Sequence, residues 1–388
     1  MNDSYAILKD ELLDDFLTMV QIDSPSKDER AMADWLTAKF TELGCDVSED
    51  KAGETVGGNA GNLRVTLKGN TSADPLLFSS HMDTVEPARG IKPVRDGDVI
   101  RSSGDTILGS DDKAGLACIL QLARMAKAQP DIPRPDLEFS IHICEEIGLL
   151  GAKTVDTTAF RAKVGFILDD HDPHSLTVGS PSAVRLEYTV YGKASHAGVE
   201  PEKGISAIKV ASEAIAKMNI GRIDEETTAN VGVIQGGVAT NIITEKVMMK
   251  AEARSHDPKK LEEQVKHMDG CFEEICAAWR KKSGTDLPRF ESVREDDYKA
   301  VRFSIEDYPV KLTMAAGKAL GWGEMETKIS GGGTDGSVLS HKGIPCLVLG
   351  VGMEAVHSTE ESIRIPVLED AVRLISTIVT THAKGAVS

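Results

Sequence analysis

The feature that most constrains this chain is a set of short apolar segments that each end in a polar or acidic cluster. Leu76 to Ser80 runs into His81-Met82-Asp83, Glu138 to Cys144 into Glu145-Glu146, and Val164 to Leu168 into Asp169-Asp170. With Leu63 to Leu67 they read as buried strands, alternating with helical stretches such as Ala114 to Ala128. Strand–helix alternation of this kind specifies an α/β sheet covered by helices on both faces. Ligand sites in such sheets lie at the carboxyl ends of the strands, where the clusters fall.

The N-terminal stretch has apolar residues at helical spacing, with Leu8, Leu12, Leu13, Phe16, Leu17 and Val20 on one face. A second helix follows, with Ala31, Trp35, Leu36 and Phe40 inward. The pattern changes after about Pro181. Val184 to Tyr191 alternates like a half-exposed strand, and a helix follows from about Gly204 to Met218. Val231 to Gln235 and Val247 to Arg254 read as strands, and Leu261 to Lys281 as a long amphipathic helix. The first pattern resumes near Tyr298, with a helix to Leu320, a glycine-rich turn, a strand Cys346 to Val351 and a closing helix near Leu368 to His382. The expected organisation is a catalytic domain over 1–182 and 298–388, interrupted by a smaller α+β domain over 183–297.

A net charge of −17 lacks the basic field of a nucleic-acid or anionic-membrane binder. No apolar run reaches membrane-span length, and Met1-Asn2-Asp3-Ser4 does not open a signal peptide. The expectation is a cytoplasmic protein. Its six cysteines, with no C-x-x-C pair, are expected to be free thiols in or near the core, Cys271 and Cys276 among them.

Three short segments carry most of the chemistry. His81-Met82-Asp83 pairs a metal-binding imidazole with a carboxylate that could hold its other N–H. Gly109-Ser110-Asp111-Asp112-Lys113-Ala114-Gly115 opens a helix with two adjacent carboxylates. These suit the helix dipole, and they equally suit a carboxylate that bridges two cations. In Cys144-Glu145-Glu146-Ile147-Gly148, neighbouring glutamates project differently, so that one can ligate while the other acts as a base. Asp169 ends a fourth strand, and Ala355-Val356-His357-Ser358-Thr359-Glu360 follows a fifth. Each motif is weak alone. Together, two histidines and three carboxylates meet the needs of a two-metal hydrolytic site.

This set resembles the co-catalytic zinc peptidases of the M20 family. The likeness is greatest to the peptidase T branch, through the segments at 109–115 and 145–149 and through Gly192-Lys193-Ala194-Ser195-His196-Ala197-Gly198. The resemblance runs in order over essentially the whole chain. It implies an α/β zinc-peptidase domain (a mixed sheet flanked by helices) carrying an inserted α+β dimerisation or lid domain. It implies two Zn²⁺, with Co²⁺ or Mn²⁺ also suited to such ligands. His81 and His357 would bind one ion each, Asp111 would bridge them across a cis bond to Asp112, and Glu146 and Asp169 would complete the spheres. Asp83 would orient His81, and Glu145 would be the general base.

For the inserted domain, the resemblance implies a homodimer in which His196 reaches a partner subunit's site and stabilises the oxyanion. Asn241 would hydrogen-bond substrate and Arg254 would bind a substrate carboxylate, with an ion pair to Glu252 or Asp257 as the alternative for Arg254. Gly331 to Gly336 lacks the Walker lysine; the resemblance implies a substrate-pocket loop there, through Gly332 and Gly333, with a plain turn as the alternative. One departure stands out. Asp170-His171-Asp172-Pro173-His174 replaces the glycine-rich stretch of well-defined tripeptidases, and its histidines read as exposed loop residues near the site. The expected activity is aminopeptidase cleavage of tripeptides or short peptides. An N-acyl amino-acid deacylase and a non-catalytic binding protein on the same fold are the alternatives.

Overall fold

The computed structural model describes residues 4–387. The chain divides into two units. One comprises Met1–Gly179, Arg302–Ser330 and Thr334–Ser388; the other comprises Ser180–Val301 and Gly331–Gly333.

The larger unit is built on a mixed sheet. Across it run Asp46–Glu49, Leu63–Leu67, Leu137–His142, Leu76–His81, Gly165–Asp170, Cys346–Gly350 and Ser175–Ser180, with Glu326–Ile329 beside the last. The central four, from Leu137–His142 to Cys346–Gly350, are mutually parallel, with His81 level with His142 and Leu168 level with Leu349. Their carboxyl ends therefore share one edge. Leu76–His81 and Leu137–His142 are buried throughout, as expected of strands covered on both faces. The helices Lys9–Val20, Ser110–Ala128 and Ile365–Ala383 contribute Phe16, Leu120 and Ile375 to a continuous core that includes Phe78, Phe139 and Phe166.

A second, antiparallel sheet joins Met353–Glu354, Ser362–Arg364, Val99–Ser102 and Pro93–Asp96. Its strands are only two to four residues long, and the sequence pattern does not reveal it. Its first two strands pair Met353 with Ile363 and Glu354 with Ser362, so the segment carrying His357 is a closed hairpin loop.

The smaller unit is a five-stranded antiparallel sheet in the order Gly221–Arg222, Thr227–Gly236, Lys246–Ser255, Ser182–Tyr191, Arg289–Tyr298. The helices Ala207–Lys217 and Pro258–Ser283 pack on it, and Val210, Met268 and Phe272 close over Leu186, Tyr188 and Val190. Arg289–Tyr298 is absent from the sequence expectation because its residues are mostly charged and exposed, a composition that hides an edge strand. All six cysteines are free and buried. No helix among the described residues is long and apolar enough to cross a membrane.

Candidate metal centre

At the shared strand edge, the larger unit brings together seven of the side chains singled out in the sequence. His81 ends its strand almost fully buried, with Nε2 3.2 Å from Asp111 Oδ1 and 3.9 Å from Asp169 Oδ1. His357 Nε2 lies 3.2 Å from the other Asp111 oxygen and 3.0 Å from Glu146 Oε2. Asp111 thus stands between the two imidazoles, one oxygen toward each. The Asp111–Asp112 bond is cis.

Asp83 behaves differently from expectation. His81 Nδ1 is 2.9 Å from its main-chain oxygen, while the carboxylate is 3.5 Å away. The carboxylate accepts instead from Ser26 Oγ (2.6 Å), Glu145 N (2.9 Å) and Glu146 N (3.2 Å). Asp83 therefore orients the imidazole through its backbone and holds the Glu145–Glu146 pair through its side chain. Asp112 also lies within reach of His81 and Asp169. Its oxygens are engaged by Ser80 Oγ and by Gly115 N at 3.1 Å.

Two residues here take left-handed backbone conformations that side chains other than glycine rarely adopt: Cys144 (φ 52°), directly before Glu145, and His357 (φ 61°). Each is held from outside. Glu29, fully buried, accepts from Cys144 N at 3.0 Å. The hairpin that carries His357 is closed by the antiparallel pairing of its strands.

The electrostatics are dominated by crowded acids. Burial pushes the carboxyls of Asp169 and Glu145 well above the ordinary range, and neighbouring carboxylates push the same way. Burial also raises Glu146. Asp111 is the exception: burial disfavours its charge, but hydrogen bonds from His357 and His81 outweigh this and hold it low. His357 is raised to about 10 by its bonds to Asp111 and Glu146. The cluster thus holds more carboxyl groups than two imidazoles can keep ionised, and ionising the rest calls for further positive charge. A buried excess of carboxylate with two histidines fits a pair of divalent cations, and His81, Asp111, Glu146, Asp169 and His357 are the residues that would hold them.

Sequence reasoning passed over Glu361. It is fully buried and accepts from Leu108 N (2.9 Å), Gly109 N (2.8 Å), Ser110 Oγ (2.6 Å) and Asp111 N (3.0 Å). It ties the turn before Asp111 to the loop of His357. Its only sequence signal is nearness to His357, which is indistinguishable from that of an ordinary surface glutamate. Glu361→Gln would turn an amide donor toward donors that have no other acceptor. It should destabilise the protein by roughly 2–3 kcal/mol, read as a lower urea midpoint. A wild-type midpoint would show that these bonds do not hold the turn.

In the smaller unit, His196 is exposed and bridges to Ile242, and Ala197 N donates to Asn241 O at 2.9 Å. The two predicted substrate residues are therefore neighbours. Arg254 is half-buried, with one guanidinium nitrogen 3.1 Å from Glu252 Oε2, and its Nε is buried without a partner among the described residues. Tyr298, which the sequence pattern did not mark, influences Arg254 electrostatically and accepts from Gly333 N at 3.0 Å. A Cβ on Gly333 would stand 2.3 Å from the Tyr298 ring, so glycine is required there. Of the loop histidines, His171 bonds Met353 O, while His174 packs at a tilt against the Trp322 ring and pairs with Asp370; neither belongs to the acidic cluster.

The peptidase dimerisation domain matches residues 178–280, and peptidase family M28 matches residues 62–170. A tripeptidase from Staphylococcus aureus superposes with a TM-score of 0.90 at 38% identity, covering 97% of this chain and 99% of that one. The chain belongs to the M20 peptidases, in the branch of peptidase T. The aminopeptidase PepT of Bacillus cereus is 40% identical, with a TM-score of 0.86 and coverage of 97% and 99%. A Bacillus subtilis protein, YqjE, is 41% identical over 96% of this chain and 98% of its own length. Membership of this family makes the chain a peptidase.

Proposed function

We propose that the protein is a dizinc aminopeptidase that removes the N-terminal residue of tripeptides or short peptides. The observation that carries this reading is Asp111 standing between His81 and His357, with Glu145 buried beside them and more carboxyl groups than the imidazoles can keep ionised. The names of the S. aureus and B. cereus relatives support a short peptide as the substrate.

Two divalent ions held by His81, Asp111, Glu146, Asp169 and His357 would supply the positive charge that polarises a scissile carbonyl and acidifies a water. Glu145 takes the proton of the attacking water and hands it to the leaving amine. Its burial suits this cycle, because a carboxyl raised toward neutrality binds and releases a proton at similar cost. Asp83 fixes the backbone on either side of that base. His196 is assigned to the oxyanion, contributed to a partner subunit's site, where one such donor is worth ~3 kcal/mol. Asn241, Gly332 and Gly333 are assigned to the peptide backbone, and Arg254 to the terminal carboxylate.

Metal-loaded protein should release alanine and dialanine from trialanine and leave N-acetyl-trialanine intact. Acetate release from the blocked peptide would make it a deacylase instead. Zinc binding with no cleavage of either would overturn both substrate assignments. Arg254→Met should raise KM for trialanine roughly 10–30-fold with little change in kcat, and should not alter hydrolysis of trialaninamide. Equal losses on the two peptides would remove Arg254 from carboxylate recognition.

The homodimer is assigned to the smaller unit. Gly221–Arg222 pairs only with Thr228 and Ala229, so the outer side of Val231–Gly236 has no strand partner among the described residues. Val233 and Ile234 are exposed on that strand, and Ile208 on the neighbouring helix. An open, apolar sheet edge invites pairing, and a second copy is the partner proposed. Ile234→Lys should shift the sedimenting species from dimer to monomer at micromolar concentration, whereas an unchanged dimer would place the interface elsewhere.

A further inference from the structure

A second buried polar chain lies in the larger unit, outside the residues assigned to the metals. His142, the last residue of its strand, is fully buried. Its Nδ1 is 2.6 Å from Asp335 Oδ2 and its Nε2 is 2.7 Å from Ser140 Oγ. Asp335 is the first residue of the helix Asp335–His341, and Ser140 is 1% exposed. The order Ser–His–Asp imitates a nucleophilic triad, but with all three members at or below 2% exposure no substrate reaches the serine. The chain must act through what it holds.

What it holds is the end of the strand that delivers Glu145. Only Ile143 and Cys144, the latter in its left-handed conformation, separate His142 from that glutamate. The main-chain oxygen of His142 accepts from Met82 N at 2.8 Å, which joins this strand end to the segment between His81 and Asp83. The Asp335 charge also reaches Glu145. Asp335 Oδ1 is buried with no hydrogen-bond partner among the described residues, a cost that an apolar residue at this position would avoid. A buried histidine–carboxylate link with one oxygen left unpaired is weak evidence for stability, and the geometry it imposes is the use left for it.

We propose that His142 and Asp335 are positioning residues for Glu145. By clamping the strand end to the helix Asp335–His341, they fix where the Glu145 carboxylate stands during proton transfer. The inference rests on the reading of Glu145 as the base. A misplacement of about 1 Å at such a group can cost on the order of 10²-fold in rate.

The test compares His142→Leu, Asp335→Asn and Ser140→Ala in the zinc-loaded protein. His142→Leu and Asp335→Asn should lower kcat for trialanine roughly 10–100-fold, with KM within about twofold of wild type and two zinc ions still bound. His142→Asn, which can still donate to Asp335, should recover about tenfold over His142→Leu. Backbone amide exchange over residues 143–146 should accelerate in metal-free His142→Leu, a readout independent of turnover. Ser140→Ala removes one bond and is the mildest change. A roughly threefold fall in its kcat supports the proposal even where the larger substitutions do not fold. Wild-type kcat in any folded variant lacking the His142–Asp335 contact, or a loss confined to KM or to metal content, overturns it. A wild-type protein inert toward trialanine would instead overturn the peptidase reading, so the two failures are distinguishable.

Discussion

Replacing Glu145 with glutamine is expected to leave a folded protein that binds its metals and turns over roughly 10³–10⁴-fold more slowly. The substitution preserves shape at a site only 9% exposed, so packing is little disturbed. The Glu145 backbone stays fixed because Asp83 accepts from its N–H, not from its side chain. Glu145 is not among the residues assigned to the metals, so metal stoichiometry should be unchanged. Only the proton acceptor is lost, since a side-chain amide takes no proton near neutral pH. KM for trialanine should move little, because the substrate contacts are assigned to Arg254, Asn241 and the glycine loop. Metal content and kcat, measured on the same preparation, check the assignment. A variant within tenfold of wild-type kcat would mean that another group carries the proton.

The readable part of this protein is the part in which a local pattern has one physical solution. Leu76–His81, Leu137–His142 and Gly165–Asp170 are apolar strands that end in ligand-type residues, and a parallel sheet places such ends on one edge. His81, Glu145, Glu146 and Asp169 were therefore legible together. Asp111 and His357 have ordinary explanations alone, as half of a carboxylate pair at a helix start and as a loop histidine; they joined the set only beside the others, and their separate roles came from the family resemblance. The small sheet that presents His357 was invisible, because strands of two to four residues have no periodicity to read. Glu361, His142 and Asp335 were passed over for a different reason. Their importance lies in contacts spanning 193 residues or more, and no pattern local to any one of them marks that. For Asp83, the residue was legible but its contact was not: spacing suggested carboxylate to imidazole, and the backbone oxygen makes the closer approach.

Removing the metals should abolish activity and also loosen the larger unit. Asp83, Asp111, Asp112, Glu145, Glu146 and Asp169 crowd around two imidazoles, and burial holds Asp112, Asp169, Glu145 and Glu146 above their ordinary range. In the metal-free protein these acids are desolvated, and ionising any one of them meets repulsion from its neighbours. Divalent cations relieve both effects and bind the folded chain in preference to the unfolded one, a linkage worth about 4 kcal/mol per ion at a thousandfold excess over Kd. Chelation should therefore lower the unfolding midpoint by several degrees and abolish peptide hydrolysis, with zinc restoring both. The pH dependence has a definite sign. In the metal-free protein the bonds to Asp111 and Glu146 push the His357 imidazole up to about 10, so at pH 7 it must shed a proton to ligate. Zinc uptake at pH 7 should release protons into a weakly buffered solution, and metal affinity should fall as pH is lowered. A chelated protein that kept its midpoint and its activity would show that the acidic cluster tolerates its own charge and that peptide cleavage runs without metal.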